Sequence, residues 1–97
     1  MISTKERAKL RGFANNLADI VFIGKEGLTD NVIKLINDNL LAHELIKIKV
    51  QQNAELSAKE FAALIIEKCN CEPVSVCGGK IVVYKRTTKK NFKHYLD

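Results

Sequence analysis

Within the stretch Ile23-Gly24-Lys25-Glu26-Gly27-Leu28-Thr29 an apolar run stops and an amphipathic one begins. A strand that hands over to a helix so abruptly restricts the chain to layered packing, because the helix has to return and cover the sheet to which the strand belongs. Two glycines three apart permit positive φ and carry no side chain that would hold a ligand away from the main chain. Thr29 is placed to cap the following helix, whose first-turn N–H groups lack partners within the helix and whose dipole is positive at this end. The stretch therefore predicts a seat for a phosphate. Lys25 adds a positive charge at the loop tip and Glu26 removes it, so main-chain geometry, not net charge, would make the site. Taken alone, the G-x-x-G spacing also describes an ordinary tight turn.

The flanking elements alternate in the same way. Ser3 and Glu6 have capping-box spacing, and Leu10, Phe13, Ala14 and Leu17 follow at helical intervals, which predicts a helix over 4–18. Lys5, Lys9 and Asn16 fall on one flank of its apolar stripe, Arg7 and Arg11 on the other. Asp19 ends this helix, and Ile20-Val21-Phe22-Ile23 reads as a strand buried on both faces. A second helix is predicted from Thr29 to about His43, with Val32, Ile33, Ile36 and Leu40 toward the core, Lys34 toward solvent, and His43 packed on the apolar side. Residues 45–50 alternate strictly, so Ile46, Ile48 and Val50 face the core while Lys47 and Lys49 share the other face, as ordinary solvation or as part of a nucleic-acid surface. Ser57 and Glu60 open a third helix over 58–70 with Phe61, Ala62, Ile65 and Cys69 inward. Pro73 begins a hairpin that turns at Gly78-Gly79 and ends in Lys85-Arg86.

The order is α-β-α-β-α-β-β. Strands joined through helices run parallel and the closing hairpin adds an antiparallel pair, so the expected class is α/β (α+β). In this two-layer form, a four-stranded mixed sheet carries helices mainly on one face and leaves the other accessible. The 97 residues form one domain. Its tail, 87–97, interleaves Lys89, Lys90, Phe92, Lys93, His94 and Tyr95, either a flexible solvated terminus or a segment that pairs phosphates and stacks bases.

Charge narrows the partners. Sixteen Lys and Arg against 11 Asp and Glu give +5 and a pI near 9.2, which favours a polyanion. Thirteen of the cations are lysines and three are arginines, better suited to phosphates than to bidentate reading of base edges. No nucleophile constellation or His-rich metal spacing is present, so neither an enzyme, a cofactor nor a small-molecule substrate is expected. Cys69, Cys71 and Cys77 are an odd number and read as free thiols of a reducing compartment. They could alternatively supply three thiolates to a metal, although the Cys-x-Cys spacing is tighter than zinc sites favour. The longest apolar run, 61–66, is too short to span a bilayer, and no targeting segment is visible, which predicts a cytoplasmic monomer away from membranes.

The runs Val21-Phe22-Ile23-Gly24-Lys25-Glu26-Gly27-Leu28-Thr29, Val32-Ile33, Ala42-His43-Glu44-Leu45-Ile46-Lys47-Ile48-Lys49-Val50 and Gly78-Gly79-Lys80-Ile81-Val82-Val83-Tyr84-Lys85-Arg86 together resemble the CRM domain, named for chloroplast RNA splicing and ribosome maturation. The similarity covers 3–86, and the length resembles the bacterial single-domain YhbY-like branch. The resemblance implies a fold similar to the C-terminal domain of translation initiation factor three, no catalysis, and RNA as the partner, specifically ribosomal RNA in precursors of the large subunit. It also implies a G-x-x-G loop that contacts RNA backbone as in KH domains. Carried onto this chain, it assigns Gly24, Lys25, Glu26 and Gly27 to that loop, with Lys5, Lys9 and Arg11 extending the surface and Lys34 flanking it. Thr29, Lys47, Lys49, Lys85 and Arg86 complete the candidate RNA-binding set on their charge and position. The alternative is an adaptor that docks on ribosomal or other proteins through the open sheet face, using Val82 and Tyr84.

Overall fold

Three hydroxyl side chains decide where the helices start. Ser3 Oγ accepts from Glu6 N at 3.1 Å while Glu6 Oε1 accepts from Ser3 N at 2.9 Å, opening α1 (Thr4–Ala14). Thr29 Oγ1 accepts from Val32 N at 3.2 Å at the start of α2 (Asp30–His43). The Ser57 and Glu60 pair repeats the reciprocal arrangement before α3 (Ala58–Cys69). Each such cap satisfies N–H groups that have no partner within the helix. The computed structural model describes residues 2–88 and 94–96, so Lys89, Lys90, Phe92 and Lys93 lie outside the described residues.

The strands are β1 (Asp19–Ile23), β2 (Leu45–Val50), β3 (Glu72–Cys77) and β4 (Lys80–Tyr84), in the sheet order β1-β2-β4-β3. β1 and β2 pair in parallel, and β4 is antiparallel to both β2 and β3. Sequence order alone would not place β4 inside, but its composition suits the position. Ile81, Val82, Val83 and Tyr84 are all buried, which requires layers on both faces of the strand. On one face α2 and α3 close over Val21, Ile23, Ile46, Ile48, Ile81 and Val83 with Ile36, Leu40, Phe61 and Ile65. On the other, α1 sets Leu10 and Ala14 against Leu45, Val74, Val82 and Tyr84. Each large apolar side chain buried in these layers contributes about 1.5–3 kcal/mol.

Four expectations are corrected. α1 stops at Ala14, not at residue 18, because Asn16 N and Leu17 N bond back only three residues, to Phe13 O and Ala14 O, in a tight closing turn. β1 is not buried on both faces: Ile20 and Phe22 are exposed, since β1 is an edge strand and α1 lies over its neighbours. The second sheet face is partly covered, so Val82 and Tyr84 are buried under α1 and unavailable to the adaptor reading. His43 is exposed, and the side chain that turns inward is the next one, Glu44, where φ swings to 72°.

Glu44 is fully buried. Its carboxylate accepts from Thr87 N at 3.0 Å and Tyr95 N at 2.9 Å and meets His94 Nδ1. It thereby ties the end of the described chain to the α2–β2 junction. Tyr95 and Leu96 then pack on the α1 cluster, with the Tyr95 ring 5.2 Å from that of Phe13.

Cys69 and Cys71 are buried and Cys77 is exposed. Burial pushes both inner thiols up, that of Cys71 to about 12, so they stay protonated near neutral pH and react poorly. Titration of the native protein with a thiol reagent is expected to show one fast thiol, Cys77, with the other two released by denaturant. Three equally fast thiols would contradict the packing. Among the described residues, no group of three or more His, Cys, Asp or Glu side chains is placed to hold a metal ion, and no helix is long and apolar enough to cross a membrane.

Candidate nucleic-acid interface

Parallel pairing of β1 with β2 brings their carboxyl ends, and hence the loops 24–28 and 51–56, to one end of the sheet, the position at which open α/β sheets present ligand sites. The 78–79 turn joins them. Val50 N donates to Gly79 O at 2.6 Å, and Gln51 N donates to Ile23 O at 2.8 Å. Within the glycine loop, Gly27 N donates to Gly24 O at 3.0 Å, closing a turn with Lys25 and Glu26 exposed at its tip.

The two glycines do different work. Gly27 has φ +70°, a conformation that side chains disfavour. Gly24 is close to its surroundings: a Cβ there would lie 2.7 Å from Gln51 Oε1. Thr29 N donates to Gly27 O at 3.2 Å, and the capping hydroxyl follows, so the turn sits directly on the positive end of α2. Asp30 lies in the first turn of the helix and Glu26 at the loop tip. The attraction for an anion at this point therefore comes from main-chain N–H groups and Lys25 against two carboxylates.

The predicted cations divide between two ends of the sheet and its faces. Lys34 is exposed one turn into α2. Lys47, half-buried, and Lys49, exposed, lie on the α1 side of the sheet. Arg11 borders a cleft of about 440 Å³ together with Asn15, Lys47 and Lys80, and Lys5 and Lys9 are exposed on α1. Lys85 and Arg86 follow Tyr84, which pairs with Leu45 at the start of β2, and so stand at the opposite end from the glycine loop. Lys85 Nζ donates to Cys69 O at 3.1 Å, a cation on the carbonyl end of α3.

Residues missed in the sequence are Phe22 and Lys80, both exposed on the α1 side, and the buried Glu44. Parity offered a signal for the first: Phe22 alternates with Val21 and Ile23, so one of the two sets had to face away from α2 and α3.

Residues 2–85 match the CRS1 / YhbY (CRM) domain. The chain is 37% identical over 87 residues to "Probable RNA-binding protein YqeI" of Bacillus subtilis, covering 90% of this chain and 91% of that protein. It is 32% identical over 84 residues to an "RNA-binding protein" of Haemophilus influenzae, covering 87% and 85%. The fold is similar to the solution structure of the hypothetical protein SAV1595 from Staphylococcus aureus, with a TM-score of 0.79 and 38% identity over 94% of this chain and 95% of that one.

Proposed function

Because the chain belongs to the CRS1 / YhbY (CRM) domain family, we propose that it is a non-catalytic, monomeric, cytoplasmic RNA-binding protein that acts on precursors of the large ribosomal subunit. It takes hold of RNA backbone at the 24–27 turn, and lysines and arginine around that turn and on α1 add salt-sensitive affinity. The observation that carries this reading is the turn itself: with Gly27 at φ +70° it sits on the positive end of α2, Lys25 and Glu26 exposed at its tip. Relatives named as RNA-binding proteins support it.

Affinity of the full chain for a ribosomal RNA fragment should fall steeply with salt. Neutralising four phosphates gives a loss of about 50-fold between 50 and 200 mM salt for a single strand. A flat response excludes phosphate contact as the driving term. Crosslinking in cells followed by sequencing of the attached RNA is expected to recover large-subunit precursor RNA. Recovery of unrelated transcripts alone would remove the ribosomal part of the proposal.

A further inference from the structure

We infer that the α1 side of the sheet, at its glycine-loop end, is a stacking platform for unpaired RNA nucleotides, with Phe22 as the stacking ring and Arg11, Lys47 and Lys49 as phosphate contacts. The inference rests on the RNA-binding reading above and adds to it a second surface and a substrate class.

Strand register builds the platform. Phe22 pairs with Lys49, Lys49 with Lys80, and Lys80 with Cys77, so these four residues form one row on one face of the sheet. At the usual strand spacing that row is about 14 Å across. α1 ends at Ala14 and covers Leu45, Val74, Val82 and Tyr84, while all four side chains of the row are exposed. Phe22 is 51% exposed, a large apolar ring half open to solvent on an edge strand, and it lies two residues before Gly24.

The charge beside the ring selects the occupant. Arg11, Lys47, Lys49 and Lys80 face the same region, and Asp19 is the carboxylate among them, taking Lys80 Nζ at 3.5 Å. Among the described residues no ion pair engages Arg11, Lys47 or Lys49. A flat π surface flanked by point cations matches alternating bases and phosphates, and every base offers a face to stack. A duplex keeps its bases stacked on one another and cannot use the ring.

The test measures anisotropy of the full chain, at matched salt, with labelled short oligo(U) and with an RNA duplex of equal length. Phe22→Ala is expected to weaken oligo(U) binding about tenfold and leave duplex binding unchanged, the loss of one stacked base. Phe22→Leu should behave like the alanine variant. Phe22→Trp should retain affinity and, as the only tryptophan in the chain, lose emission when oligo(U) binds. Wild-type affinity in Phe22→Ala or Phe22→Leu, or unchanged tryptophan emission, overturns the platform and leaves the RNA-binding reading standing. A wild-type chain that binds neither RNA at low salt overturns both.

Discussion

Replacing Glu44 with alanine is expected to lower folding stability by about 3 kcal/mol, because Thr87 N, Tyr95 N and His94 Nδ1 lose the buried carboxylate they share. For a domain of this size, that corresponds to a fall in melting temperature of roughly 12–24 °C. The carboxylate is fully buried, and among the described residues its desolvation is offset by the bonds that converge on it from Thr87 N, Tyr95 N and His94. Alanine removes this acceptor from both N–H groups, and Thr87 is itself buried. Glu44→Gln keeps one acceptor oxygen but turns an amide N–H₂ toward a donor, and should lose about half as much. Urea melts of the three proteins decide the matter. If Glu44→Ala unfolds at the wild-type midpoint, the carboxylate does not hold the chain end in place.

Gly27→Val should reduce affinity for structured RNA by at least about tenfold, a loss equivalent to roughly 1.4 kcal/mol of binding. At φ +70° a β-branched side chain is strained by about 1–2 kcal/mol, so the turn shifts to another conformation and its N–H groups leave their positions. Its Cβ would lie 3.6 Å from the Phe61 ring, an ordinary contact, so the fold should survive the change. Gly24→Ala is the companion variant. Its Cβ meets the end of the flexible Gln51 side chain, which can rotate away, so stability should stay near wild type while the displaced Gln51 side chain crowds the surface beside the turn. Binding measured at one salt concentration distinguishes the outcomes. Wild-type affinity in both variants would exclude the turn from RNA contact and leave the α1-side face to carry it.

The alternation of elements was legible because it is written in short-range interactions. The Ser3, Thr29 and Ser57 caps each act over three residues, and the 45–50 alternation acts over two. The Gly27 conformation was legible for the same reason. The end of α1 was misjudged because Leu17 continues the apolar spacing although the chain has already turned, and Leu17 is still used, half-buried against the same cluster. Glu44 was missed because the backbone reversal at its own φ of 72° takes it out of the helical pattern, and a buried acid is not expected from composition. Lys85 looked like one more surface cation until its partner, the carbonyl of Cys69 sixteen residues earlier, came within reach.

What the amino-acid order determined by itself was the identity and start of each element and the sharp turn at the glycines, since those depend on groups a few residues apart. Only the tertiary structure decided that β4 runs through the middle of the sheet and that Glu44 becomes an internal anchor for residues 43 to 51 positions away. It also decided that Phe22 stays in the open. These outcomes depend on contacts between residues far apart in the chain, and no local pattern encodes them.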